Sequence, residues 1–219
     1  MIFNILRKKK TVQLLTKKIF VKYPLNAKGI EKNKISHGEN TKAKGVCEIE
    51  FWRESKNNNI IIGNNFEANN LRIVFRGNGS RLIIGDDVKW SGYILIVGNN
   101  RQVIIGNRST ANGVYLMCRD ADISICHDCM LSREIEIRST DVHKIYDINS
   151  GERLNQAGDV YISEHVWIGA RSIVSKGVKI PAGSVIGATS FVNKSFDEEN
   201  VVIAGTPAKI VKRNIRWER

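Results

Sequence analysis

Large aromatic side chains are sparse in this sequence, and proline occurs only at Pro24, Pro181 and Pro207. No apolar run approaches the roughly 20 residues that a membrane-spanning helix needs. The N-terminal basic cluster Arg7–Lys10 is not followed by a continuous apolar stretch or a small-residue cleavage site, so no secretory signal is read there. Four cysteines in a chain of 219 residues do not make a disulfide framework. These absences lead us to expect a cytoplasmic protein with reduced thiols, peripheral at most at the inner face of the membrane. Nucleic acid is not an expected partner, because no aromatic interleaving or binding motif accompanies the positive charge.

That charge is unevenly distributed. Residues 1–45 hold twelve Lys and Arg against Glu31 and Glu39, and so carry +10 of the net +12. Within this arm Val12, Leu15 and Ile19 recur at helical spacing among Lys8, Lys9, Lys17 and Lys18. The spacing predicts a basic amphipathic helix, suited to a membrane surface or an anionic polysaccharide, or to packing on its own domain or a neighbouring subunit.

Aliphatic residues and glycine are abundant, and their rhythm is regular. Ile162, Ile168, Val174, Ile180, Ile186 and Val192 follow one another at intervals of six. Ser172, Val178, Ser184 and Ser190, small or β-branched, come four residues after the middle members. Upstream, Ile105, Ala111, Met117, Ile123, Cys129 and Ile135 keep the same interval. Six matches neither a helical nor an alternating period. It fits short strands joined by sharp turns, three to a coil, stacked as a parallel β-solenoid with one inward aliphatic residue per hexad. The glycines and asparagines of "IIGNN" and "IVGNN" are expected to take the turn conformations. The predicted organisation is all-β: a basic arm over 1–45, then a solenoid over 46–219 with a short C-terminal extension.

The rhythm breaks at "TDVHKIYDINSGERLN", residues 140–155, an acidic and polar segment containing His143. With "HVWIGARSIVSKGVKIPAGSVIGATSFVNKS" and "VIAGTPAKIVK" it resembles successive blocks of the hexapeptide-repeat acyltransferases, above all the bacterial capsule O-acetyltransferases that include those modifying polysialic acid. The resemblance covers roughly residues 46–213 and implies a left-handed parallel β-helix with an active-site loop at 141–158. It also implies acetyl-CoA as co-substrate, a carbohydrate acceptor, a homotrimer, and no metal.

By this resemblance His143 is the general base. An alcohol is a weak nucleophile at neutral pH, and a neutral imidazole is suited to taking its proton during attack on a thioester. Asp141 matches the same motif and is expected to orient the imidazole or the acceptor. Trp167, in "HVWIG", is expected to line the donor or acceptor pocket. Ala170 and Ala188 are implied as main-chain contacts to coenzyme A, and Lys209 and Lys212 as contacts to its nucleotide phosphate. Asn193 and Lys194 match only in part. Arg119, Arg133 and Arg138, upstream of the histidine, are candidates for a carboxylated acceptor.

The other histidines are weaker candidates. His165 is read as a turn residue as readily as a site residue. His127, between Cys126 and Cys129, lacks a second ligand pair for zinc. A zinc enzyme like the γ-class carbonic anhydrases needs three convergent histidines, and none accompanies His143 and His165. A noncatalytic binding or scaffold solenoid would show no coenzyme A binding. Within the enzyme class, the alternative acceptors are a small sugar, an amino sugar or an antibiotic.

Overall fold

The structure, a computed structural model, describes residues 32–52 and 54–219. Residues 12–19, where the sequence predicts an amphipathic helix, lie outside this range. Among the described residues there is no helix, and the chain winds as a left-handed parallel β-helix of about seven coils.

Three flat faces run along the helix. The first stacks β1 (Lys34–His37), β4 (Asn59–Ile62), β6 (Arg81–Ile84), β8 (Gln102–Ile105), β10 (Ile123–Ile125), β13 (Val160–Ile162) and β16 (Lys179–Ile180). The second carries β2 (Lys42–Lys44), β11 (Met130–Leu131), β14 (Trp167–Ile168), β17 (Val185–Ile186) and β19 (Val202–Gly205). The third carries β3 (Glu48–Phe51), β12 (Ile135–Arg138), β15 (Ile173–Val174) and β18 (Phe191–Val192). Three long strands, β5 (Glu67–Arg76), β7 (Lys89–Val97) and β9 (Thr110–Arg119), bend through the second and third faces. The ladder thus begins at Lys34, further toward the N-terminus than the boundary at 45/46 read from the sequence. At the other end β20 (Ala208–Lys212) turns back antiparallel on β19.

Alternation puts every second strand residue inside. The core is columns of Ile, Val and Leu, such as Ile60, Leu82, Val103, Ile123 and Val160, all essentially inaccessible. β-Branched residues favour this pleated, half-buried setting. The hexad reading holds in the last coils, where Tyr161 pairs Lys179, Trp167 pairs Val185 and Ile173 pairs Phe191, three hexads apart each time.

Upstream the coils are longer, and there the period of six misplaces one residue. Val114, Leu116 and Cys118 face the core, whereas Met117 faces outward beside Val74 and Leu95 in a separate apolar cluster on the third face. In "IVGNN" both Gly98, at φ 100°, and Asn100, at φ 57°, take left-handed turn conformations as expected, but the glycine of "IIGNN" has another role. In "IIGNN" the left-handed residue is Asn65, at φ 54°, not Gly63. A Cβ on Gly63 would lie 2.5 Å from the carbonyl of Gly85 in the next coil, so glycine is needed there for close stacking. The first asparagine builds a side-chain ladder: Asn64 N–H donates to Asp86 Oδ1 (2.6 Å), and Asp86 N–H to Asn107 Oδ1 (2.9 Å).

Candidate active site

Between the fifth and sixth coils the chain leaves the coil while the ladder continues. Ile123 pairs Val160 across an insertion, while Tyr161 pairs Lys179 without one. The excursion closes at its base, where Gly158 N–H donates to Ser139 O (3.1 Å), and it is pinned by a bridge between Tyr146 and Arg153. Buried Ser139 secures the exit through its hydroxyl, which bonds Arg119 O (3.0 Å) and Ala121 O (2.9 Å).

Within this loop the backbone at His143 is fixed from several directions. Its N–H donates to Asp141 O (2.8 Å), and its carbonyl accepts from Asn155 Nδ2 (2.8 Å). Asn155 is buried and also donates to the Asp141 carboxylate (3.0 Å), while its Oδ1 accepts from Ile145 N–H (2.7 Å). Lys176, at the corresponding corner of the next coil, completes the cluster by an ion pair with Asp141. The Lys176 ammonium holds the Asp141 carboxyl below the usual carboxylate range, partial burial opposes it, and Asn155 adds to the lowering.

Val142, next to the histidine, is β-branched yet sits at φ 70°, a left-handed conformation such residues rarely adopt. Its side chain packs on the outer cluster of Val74, Leu95 and Met117, beside the stacked rings of Tyr93 and Tyr115. Tertiary packing thus imposes the strain, as is typical of functional loops. The imidazole of His143 is exposed, and its ring nitrogens have no hydrogen-bond partner among the described residues. The sequence offered Asp141 as orienting either the imidazole or the acceptor, and among the described residues its carboxylate makes no hydrogen bond to that ring. Its carboxylate is committed to Lys176 and Asn155, so it holds the loop instead.

The remaining candidates fall into two groups. Arg138 and Arg119 lie on the third face leading into the loop, where Arg138 pairs with Glu136 and Arg119 approaches Asp120 (3.7 Å). Asn193 and Lys194 occupy the same corner two coils beyond the loop, and the Lys194 ammonium lies 5.6 Å from the centre of the Phe196 ring.

The second group lies on the second face and its far corner. Trp167 opens β14, and its Nε1–H donates to Ser132 Oγ (3.3 Å). Ala170 and Ala188 stack at that corner, with Thr189 N–H donating to Ala170 O (2.9 Å). Arg133 joins them there, its carbonyl accepting from Arg171 N–H (3.0 Å), and is thereby separated from Arg119 and Arg138. Lys209 and Lys212 project from β20 above the second face, exposed and without an ion-pair partner among the described residues. Among the described residues, the His143 loop follows β12 on the third face, whereas Trp167 opens β14 on the second.

The other sulfur and imidazole groups point elsewhere. Cys129 is in the core and Cys126 meets Tyr161 Oη (3.1 Å), so the two thiols diverge; burial pushes the Cys129 thiol up to about 12. Among the described residues no three His, Cys, Asp or Glu side chains converge as a metal site. His165 is a left-handed turn residue at φ 52°, stacked beneath Trp217. Sequence reasoning missed Asn155, Lys176, Ser132 and Trp217. Only Trp217 offered a signal, as the one aromatic residue in the charged tail "NIRWER".

No family model matches the chain. The polysialic acid O-acetyltransferase of Neisseria meningitidis is 43% identical over 164 residues, which are 74% of this chain and 76% of that protein. The polysialic acid O-acetyltransferase of Escherichia coli O1:K1 / APEC is 40% identical over 126 residues, 57% of this chain but only 41% of that protein. Among solved structures, the polySia-specific acetyltransferase NeuO matches with a TM-score of 0.78 at 36% identity, covering 86% of this chain and 85% of that one. The polysialic acid O-acetyltransferase OatWY matches with a TM-score of 0.59 at 34% identity, covering 85% and 91%.

Proposed function

Because the chain belongs to the polysialic acid O-acetyltransferase family, we propose that it moves an acetyl group from acetyl-CoA to a hydroxyl of a sialic-acid-containing surface polysaccharide, with His143 as general base. The observation that carries this reading is the loop. At the insertion in the coil, a strained and densely bonded backbone presents one imidazole whose two nitrogens have no hydrogen-bond partner among the described residues.

When bound, acetyl-CoA supplies an acyl carbon activated as a thioester. His143 accepts the proton of the acceptor hydroxyl as that oxygen attacks, then gives it to the departing thiolate. Asp141, Asn155 and Lys176 hold the base in place, so its geometry is set before substrate arrives. The residues present suit the donor. Ala170 and Ala188 keep one corner narrow and its backbone approachable, and the ammonium groups of Lys209 and Lys212, exposed and without an ion-pair partner among the described residues, suit phosphate. Arg119 and Arg138, on the approach to the loop, suit the carboxylates of the acceptor.

The working form is a homotrimer. Two observations support this: the His143 and Trp167 groups occupy different corners of one chain, and the loop exposes Ile145, Tyr146, Ile148 and Leu154 to solvent. The basic arm is proposed to hold the enzyme, in the cytoplasm, against an anionic membrane surface or polymer.

The test is acetyl-CoA consumption against neutral and sialic-acid-containing oligosaccharides, with wild type and His143→Ala. Turnover should require the acidic glycan and fall about 10²–10⁴-fold in the variant. Full activity in a folded His143→Ala protein would remove the histidine from the mechanism, and turnover of neutral glycans alone would remove the proposed acceptor.

A further inference from the structure

Residues 213–219 leave the repeating coil and run back along the corner between the first and second faces. Ile215 N–H donates to Asn200 O (2.9 Å), and Arg213 pairs with Glu198 (3.0 Å). One coil lower, Trp217 is buried and its ring stacks on His165, with centroids 4.1 Å apart and planes 7° from parallel. The two residues are bonded twice. Trp217 Nε1–H donates to His165 O (3.1 Å), and His165 Nε2 donates to Trp217 O (3.2 Å). Lower still, the Arg219 guanidinium donates to Arg108 O (2.8 Å) and Cys129 O (2.9 Å). The tail is a longitudinal strap across the stacked coils.

The far side of the strap reaches the site. Trp217 lies against Trp167, with ring centroids 6.0 Å apart and a 46° tilt. Trp167 heads a strand of two residues, and its indole is tethered by the hydrogen bond to Ser132. Trp217, itself locked to His165, bounds the ring on one side. Aromatic pairs in tilted contact are favourable and directional, so such a wall selects one orientation of the indole.

We infer that Trp217 is a positioning residue for acetyl transfer: the C-terminal strap fixes the Trp167 indole where donor and acceptor meet. This rests on Trp167 lining the pocket, as proposed above. The coils keep their own ladders without the strap, so its role is separable from the fold. A purely structural staple would change melting temperature; a positioning role changes turnover through Trp167.

The experiment uses the full chain carrying 5-fluorotryptophan, whose four indoles give four fluorine resonances. Trp217→Ala, Trp217→Phe, Trp167→Ala and the double variant Trp167→Ala/Trp217→Ala are compared, with rates measured on acetyl-CoA and oligosialic acid. Trp217→Ala should lower kcat about tenfold, the scale of a modest misplacement. Trp217→Phe should recover most of it, and Trp217→Ala should add nothing on the Trp167→Ala background. The Trp167 resonance should move or broaden in Trp217→Ala. Unchanged turnover, independent losses in the double variant, or an unmoved Trp167 resonance would each overturn the inference. Should Trp217→Ala not fold, Trp217→Leu is read by the same criteria. A wild-type chain that transfers no acetyl group would refute the proposed function, and the resonance arm would still decide whether Trp217 fixes Trp167.

Discussion

At the scale of single residues, His143 and Trp167 are legible in the sequence as candidates, because each sits in a block whose residues match a family motif. Their supports are not. Asn155 reaches Asp141 from 14 positions away and Lys176 from 35, and only the closed loop and the next coil bring them there. The Asp141–Lys176 pair predicts a pH dependence with a definite sign. Because the folded carboxyl lies below its ordinary value, the stabilisation is fully present above an unfolded value of ~3.9 and is lost as pH falls through the lower folded value. Amide exchange at Ile145, whose N–H is held by Asn155, should stay slow at pH 5 and quicken below the carboxylate range. Lys176→Met should quicken it at neutral pH while leaving the coil amides protected. An unchanged exchange rate in Lys176→Met would show that the pair does not hold the loop.

Elements were legible where their spacing repeats without insertions. The three-hexad coils after the loop follow the rule of six, so Ile162 through Val192 were placed inward correctly. In the earlier coils extra corner residues shift the phase, and Met117 then falls on the outer side of the sheet, in the apolar cluster there, with Leu116 and Cys118 taking the core positions. A fixed period cannot reveal such insertions, because strand direction resets at each corner. Glycine at the first corner follows the same logic of close stacking. A Cβ on Gly106 would lie 2.5 Å from the Cys126 carbonyl carbon and 2.5 Å from the His127 nitrogen. Backbone cannot swing aside as a long side chain can, so Gly106→Ala should destabilise by about 1–3 kcal/mol through overpacking. At Gly151, in the loop, an added Cβ meets nothing within 4 Å, although φ is +71°. Gly151→Ala carries only the smaller penalty of its backbone conformation. Thermal unfolding of the two variants should separate them, with Gly106→Ala melting lower. Equal melting temperatures would mean that the coil spacing relaxes around the added methyl group.

For the molecule as a whole, the distribution of site residues argues for a shared active site. The loop bearing His143 and the face bearing Trp167 are at different corners, and both groups belong to the proposed pocket. The loop also exposes Ile148 almost completely, at 95%, with Tyr146 at 54% and Leu154 at 63%. Clustered apolar exposure of this kind marks an interface. In the proposed homotrimer, flat solenoid faces related by a threefold axis would enclose three equal grooves, each lined by the loop of one copy and the second face of the next. Light scattering should then report three times the chain mass of 24.7 kDa, and Ile148→Asp with Tyr146→Asp should lower both that mass and the turnover. Complementation gives a sharper test. His143→Ala and Trp167→Ala chains, each nearly inactive alone, regain intact sites when co-assembled, because His143 from one meets Trp167 from the other. Random mixing of equal amounts restores about a quarter of the sites, since each groove draws its two halves independently. Mixed oligomers that stay as inactive as their parents would place both residues in one chain's own pocket and end the shared-site assignment.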